Sequence, residues 1–501
     1  MISATKWVPR GAAAEVPRKA DLDEAEMARI AELAKLELAD AESDLSTARD
    51  SLADPPAAAP TAAAGAPAAI DDNDDDLKEY NMSDYDDEVN AENNATIAGV
   101  QGLAYYGPDE EDEFLTLPSA QEQQEEDDEM NITKTDNMLL AAKTEDDVSL
   151  IEVHVYDDSD ANLYVHHDFM LPSFPLCLEW VPITPGTTSA GNFVAVGTFE
   201  PEIEVWDLDL VDGMFPTAIL GNTDRPEAQR AGTGKKKRKV KKANDEYHVD
   251  AVLSLASNPN QANLLASASA DQTIKLWDLS SDSTTTAAQS FAKYHTDKIS
   301  SVAWNPVEPT VLLSGGYDGY ARVGDARSAS IAKDSRAYKL RGDVENVQWS
   351  QEGTYFYAGT DQGTITKFDA RVADKPVWTL QAHDSEVTSF AVNSFIDNLM
   401  VSSSSDHQVK LWNIANDQPS MVLSRDFDVG KVFSVGFGPE KATKSLLSVA
   451  GSQGKLKVWD AFSNRAVRSA FARPGETKPQ SELNEKLVAA NDDDEESEDD
   501  E

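Results

Sequence analysis

A hairpin-sized unit recurs down this chain, and its period limits the fold more than any other feature. The stretch Leu264 to Leu279, LLASASADQTIKLWDL, reads as a strand from Leu264 to Ser267, a tight turn at Ala270 and Asp271, and a second strand from Thr273 with apolar residues at alternate positions. Its ending returns as EVWDLD (Trp206, Asp207), KLWDLS (Trp277, Asp278), RVGDAR (Gly324, Asp325), TKFDAR (Phe368, Asp369), KLWNIA (Trp412, Asn413) and KVWDAF (Trp459, Asp460). The aromatic or equivalent positions are successively 71, 47, 44, 44 and 47 residues apart. A unit this small cannot bury its apolar faces alone, so copies must stack on one another.

A period of roughly 40–45 residues with a Trp-Asp ending marks the WD40 repeat, in which each unit supplies one four-stranded blade of a β-propeller. Six endings give six blades, and a seventh assembles from separated pieces. Ile2, Ser3, Trp7 and Pro9 match Ile299, Ser300, Trp304 and Pro306, while Trp7-Val8-Pro9 repeats Trp180-Val181-Pro182. Residues 1–9 therefore read as the first propeller strand. Asn137 to Lys143, Ser149 to Tyr156 and Asn162 to Phe169 are its expected partners, with Tyr156-Asp157 at the Trp-Asp position. The expectation is an all-β, seven-bladed WD40 β-propeller over residues 137–473, completed by the strand at 1–9 and interrupted by a basic insertion at 222–246. A long, acidic, largely disordered insertion fills residues 10–136, and an acidic C-terminal tail fills 474–501.

The net charge of −47 is too large to spread evenly over a folded ring. Between Asp71 and Met130 stand 22 Asp or Glu against Lys78 alone, and the last eleven residues hold nine more. The long insertion opens with helix formers over about 21–40 (DLDEAEMARIAELAKLELAD) and continues through an Ala/Pro linker that has too few large apolar residues for a core. Within its acidic segment, Tyr105, Tyr106, Phe114 and Leu115 form apolar islands suited to anchoring a partner or the propeller's own side. One cysteine, Cys177, excludes an internal disulfide and a Cys-rich zinc site and fits a reducing compartment. No apolar run of membrane-spanning length and no signal-peptide pattern appears, so a soluble intracellular protein without membrane partners is expected.

Against that acidity, Lys235, Lys236, Lys237, Arg238, Lys239, Lys241 and Lys242 stand in one run of eight residues. An extended run of cations suits the acidic grooves of an import receptor and, secondarily, local contact with RNA phosphates. Ser83 and Ser497, each in acidic surroundings, are candidate phosphorylation sites for an acid-directed kinase. The sets His248, Ser267, Asp271, Trp277 and His383, Ser402, Asp406, Trp412 share the WD-repeat pattern, in which indole, hydroxyl, imidazole and carboxylate bond in series. A Ser-His-Asp set suggests catalysis, yet its recurrence and the lack of a nucleophile-elbow motif assign it to structure. In the fourth blade His295, Ser314 and Asp318 recur, but Gly324 stands where Trp is expected, so that network reads as incomplete and its blade as looser. No phosphate-cradling glycine loop or metal-ligand cluster is visible, so no enzyme, metal or cofactor is expected.

Several stretches go beyond generic repeat patterning: GLAYYGPDEEDEFLTL, NLYVHHDFMLPSFPLCLEWV, GNFVAVGTFEPEIEVWDLDLVD, LASASADQTIKLWDL and the lysine-rich insertion. On these the chain resembles the periodic tryptophan protein 1 family of eukaryotic WD-repeat proteins. The resemblance implies a nucleolar assembly factor of the large (60S) ribosomal subunit that supports pre-rRNA processing in pre-60S particles. Implied partners are pre-60S assembly factors, ribosomal proteins and pre-rRNA, and the implied location is the nucleus and nucleolus. Two rivals from other classes are a chromatin protein that binds histones and affects rRNA gene transcription, and a ubiquitin-ligase substrate receptor.

Overall fold

The computed structural model describes residues 1–19, 130–146, 148–157, 161–222, 243–281, 286–328, 331–372, 375–471 and 486–490. The helix expected at about 21–40, the Ala/Pro linker, the acidic segment with its apolar islands, the run Lys235 to Lys242, Ser83 and Ser497 lie outside them. The described residues form seven four-stranded antiparallel sheets, which are the blades of a β-propeller. The inner strands, from blade 1 to blade 7, are Ile2–Trp7, Pro175–Ile183, Val252–Ser257, Ile299–Trp304, Val344–Trp349, Val387–Val392 and Val432–Phe437. The recurring Asp has a local cause. In six blades the Asp or Asn that ends the third strand accepts the N–H two residues further on and so starts the turn. Asp207 takes it from Asp209, Asp278 from Ser280, Asp325 from Arg327, Asp369 from Arg371, Asn413 from Ala415 and Asp460 from Phe462, all at 2.9–3.1 Å.

The core lies between blades, because each sheet presents apolar side chains to both neighbours. Val153, Val155 and Phe169 of blade 1 pack with Leu178, Val194 and Trp206 of blade 2. On its other face blade 1 offers Ile2, Trp7, Leu139 and Leu163 to Leu446, Ala450, Leu456 and Val458 of blade 7. That second seam joins the two ends of the propeller. Ile2–Trp7 pairs antiparallel with Asn137–Glu145, more than a hundred residues away in sequence, and so completes blade 1.

Polar bonds fix the seams in a repeated form. The Thr5 N–H donates to Ser434 Oγ at 3.1 Å, and two residues on the Trp7 indole donates to the Gly436 carbonyl at 3.3 Å. Val302 and Trp304 make the same pair of bonds to Ser254 and Ala256, at 3.2 and 3.1 Å. Val347 and Trp349 make it to Ser301 and Ala303, both at 3.2 Å. The bond between blades 7 and 1 is thus the same device that joins blade 3 to 4 and blade 4 to 5.

Connections alternate between the two ends of the ring. The insertion after Trp7 joins first and second strands and leaves at the end where third strands run into fourth. There Arg18 bridges Leu210 and pairs with Asp207 at 2.7 Å. The basic insertion joins blade 2 to blade 3, and its described ends, Asn222 and Ala243, stand at the opposite end.

One boundary needs correction. The sequence reading ends the ring near Phe471 and assigns residues 474–501 to the tail. Arg465–Phe471 is instead a helix with Val467 buried, and blade 7 takes its outer strand from Leu487–Ala489, paired with Lys457 to Trp459. Three residues carry too little alternation to be recognised as a strand. Their place is set by tertiary contact, with Val488 and Ala490 packed on the blade 7–blade 1 seam.

Trp7→Ala deletes a side chain that is 6% exposed together with its bond to Gly436. The expected cost is about 3–5 kcal/mol, read as a lower thermal midpoint by circular dichroism. An unchanged midpoint contradicts the seam described above.

Candidate interaction surfaces

The two WD networks are closed circuits. In blade 3, His248 contacts Asp271 Oδ2 through Nδ1 at 3.0 Å and Ser267 Oγ through Nε2 at 2.7 Å. The Trp277 indole donates to the same Ser267 oxygen at 2.9 Å. Blade 6 repeats this with His383 to Asp406 and Ser402 at 2.9 and 2.8 Å, and Trp412 to Ser402 at 2.9 Å. If His Nδ1–H donates to the carboxylate, the serine hydroxyl must donate to Nε2, and every donor finds an acceptor. Burial lowers the pKa of both imidazoles despite their carboxylate partners, which keeps them neutral. Burial opposes ionisation of Asp271, but the bond from His248, aided by Thr273 and the Val249 N–H, holds it down at about 2. Ser267 and Ser402 are fully buried, so these sets brace the blades and face no substrate.

Blade 4 fills the gap left by Gly324. His295 keeps its bonds to Asp318 and Ser314, at 3.0 and 2.7 Å. A Cβ at Gly324 would meet both Ile331 Cγ1 and the Tyr294 hydroxyl at 2.7 Å. Tyr294, 1% exposed, and Ile331, 3% exposed, thus occupy the room of the missing indole. The sequence signal was the aromatic residue directly before His295.

Two polar clusters escaped the sequence reading. A β-bulge between Val153 and His154 brings His166 Nδ1 to 2.7 Å from His167 Nδ1, and His166 Nε2 donates to the Met130 carbonyl at 2.9 Å. Burial, with His166 adding to it, holds the His167 pKa down at about 3. The second cluster stands at the mouth of the ring, where the Tyr317 hydroxyl donates to Glu345 at 3.2 Å. Burial outweighs that bond and, with Glu386, Asp361 and Asp343 nearby, pushes the Glu345 carboxyl up to about 7. These carboxylates come from two blades, with Tyr317 from a third, and share no sequence motif, which is why pattern alone does not find them.

Residues 242–278, 289–325 and 374–413 match the WD domain, G-beta repeat family, each segment ending on the third strand of a blade. The chain is also 39% identical to Periodic tryptophan protein 1 of Saccharomyces cerevisiae, over 94% of this chain and 90% of that one. It belongs to the periodic tryptophan protein 1 family. The Drosophila melanogaster homolog is 34% identical over 94% of this chain and 96% of its own length. A WD repeat-containing protein of Schizosaccharomyces pombe is 46% identical over 94% of this chain and 91% of its own. Family membership and a WD propeller make this a scaffold-type fold suited to protein–protein interaction.

The Glu345 carboxyl has a folded-state pKa above its unfolded value, so its favourable contribution exists below about pH 4.5 and is lost as pH rises through about 7. Glu345→Gln is therefore expected to raise the unfolding temperature at pH 8, with the gain vanishing towards pH 4.5. Thermal unfolding across that range checks it, and a gain independent of pH contradicts the assignment.

Proposed function

We propose that this protein is a non-enzymatic scaffold in nucleolar assembly of the large (60S) ribosomal subunit, supporting pre-rRNA processing within pre-60S particles. The observation that carries the reading is identity to Periodic tryptophan protein 1 over 94% of the chain, which extends beyond the blades into the insertions. The residue chemistry supports it. The two networks that resemble a catalytic set are buried and internally satisfied, and the two insertions depart from opposite ends of the ring. Lys235 to Lys242 supplies an import signal and a local contact for pre-rRNA, while the acidic segments suit basic ribosomal proteins and assembly factors.

A second reading, a histone-binding chromatin protein, draws on the carboxylates at the ring mouth, where Glu345, Glu386, Asp343 and Asp361 suit a basic tail. Gradient sedimentation of tagged protein from nuclei separates the two. The assembly reading predicts a large particle carrying large-subunit precursor RNA that collapses on nuclease treatment. Sedimentation as a small species with histones, or with a ubiquitin-ligase adaptor, contradicts it.

A further inference from the structure

The outer edge of blade 4 has the charge opposite to the rest of the chain. From Gly319 to Arg341, six Lys or Arg stand against two Asp, in a protein of net charge −47. Both aspartates are engaged: Asp325 by Arg327 at 2.6 Å and Asp334 by the Ser328 hydroxyl at 2.6 Å. Arg336 and Lys339 lie on the outer strand Arg336–Lys339, and Arg341 follows it; all three are exposed. None of the three makes an ion pair among the described residues. Arg336 donates only to the Ala370 carbonyl, at 2.6 Å.

Arg322, on the adjacent third strand, reinforces this edge. Its guanidinium lies 6.0 Å from the Tyr294 ring centre and 5.7 Å from that of Tyr320, and its buried Nε has no partner. In register, Tyr320 faces Lys339 and Arg322 faces Ala337, so Arg322 and Lys339 share the face towards blade 3, while Arg336, opposite Val323, takes the face towards blade 5. Aromatic rings hold a guanidinium by its faces and leave its N–H fork free for an oxyanion. The preceding blade ends in a short outer strand, Gln289–Phe291.

The lysine-rich insertion rejoins the ring at blade 3, the neighbour of blade 4. Its first described residues after Lys242 are Ala243 and Asn244, and the Asn244 carbonyl is held by Lys275 Nζ at 2.6 Å. Lys275 also bonds Ser290 of blade 3's outer strand at 3.0 Å and shares a face with Trp277, so the chain enters on the side of blade 3 that packs against blade 2.

We propose that Arg322, Arg336, Lys339 and Arg341 form an RNA-phosphate contact on the body of the propeller, separate from the lysine run. This deepens the proposed function and rests on it, because it names where pre-rRNA touches the ring. Cations on both faces of an exposed edge, with aromatic rings beside one of them, fit a sugar–phosphate backbone that crosses the edge and read no base sequence.

The test is fluorescence anisotropy of the full-length protein with a labelled single-stranded RNA oligonucleotide, at salt from about 50 to 200 mM. The triple variant Arg336→Glu/Lys339→Glu/Arg341→Glu is expected to fold with an unchanged thermal midpoint. It should lose about tenfold or more in affinity, with a log–log salt slope shallower by about two, for three lost phosphate contacts. Arg322→Lys, which keeps the charge but not the fork, should lose part of that affinity. A triple variant that folds and binds RNA with wild-type affinity and slope overturns the proposal. So does a triple variant that binds RNA normally but no longer takes up an added peptide of residues 71–130, which would assign the edge to an acidic protein segment. Sedimentation with precursor particles is read separately, so failure of this contact is distinguishable from failure of the assembly reading.

Discussion

A propeller whose seams are all made of packed side chains still needs its two chain ends joined, and here one strand makes the join. The Trp7 indole on the Gly436 carbonyl and the Thr5 N–H on Ser434 tie the first residues of the chain to its last blade. A buried N–H without a partner costs about 1–3 kcal/mol, so the carbonyl that meets the Trp7 indole secures this seam. The same requirement is met by Trp304 and Trp349. Long insertions can then depart from blade 1 and from the blade 2–blade 3 connection without loosening the ring.

Within blades the dominant constraint is satisfaction of buried polar groups. His248 and His383 stay neutral because burial outweighs the pull of their carboxylates, and a complete circuit of donors and acceptors makes that neutrality stable. Blade 4 shows that the indole itself is replaceable. Tyr294 and Ile331 fill its volume, while the His295, Ser314 and Asp318 bonds persist. The replacement also places Tyr294 beside Arg322, on a blade whose outer edge is basic. Packing and surface chemistry are therefore linked there.

The ring was legible from sequence because its period, its Trp-Asp endings and the Asx turns behind them are local. The echo between residues 2–9 and 299–306 pointed to the seam strand, and the match is physical: Trp7 and Trp304 make equivalent bonds. Trp180 repeats the same letters but donates to Asn192, so identity of motif did not guarantee identity of contact. The outer strand at Leu487–Ala489 was missed because three residues have no period, and the carboxylates around Glu345 because their neighbourhood exists only in the closed ring. The basic edge of blade 4 was dispersed over two strands and a loop. It becomes a surface only through the register that sets Tyr320 opposite Lys339.

Native-state hydrogen exchange resolved to single N–H groups tests the central claim, that the N-terminal strand is an integral part of the ring, most directly. The Thr5 amide and the Trp7 indole N–H are expected to exchange with the same opening free energy as the Val347 amide and the Trp349 indole N–H, because both pairs make the same interblade bonds. Exchange of Thr5 and Trp7 at the small opening free energy of a fraying terminus, while blade 5 stays protected, would contradict it.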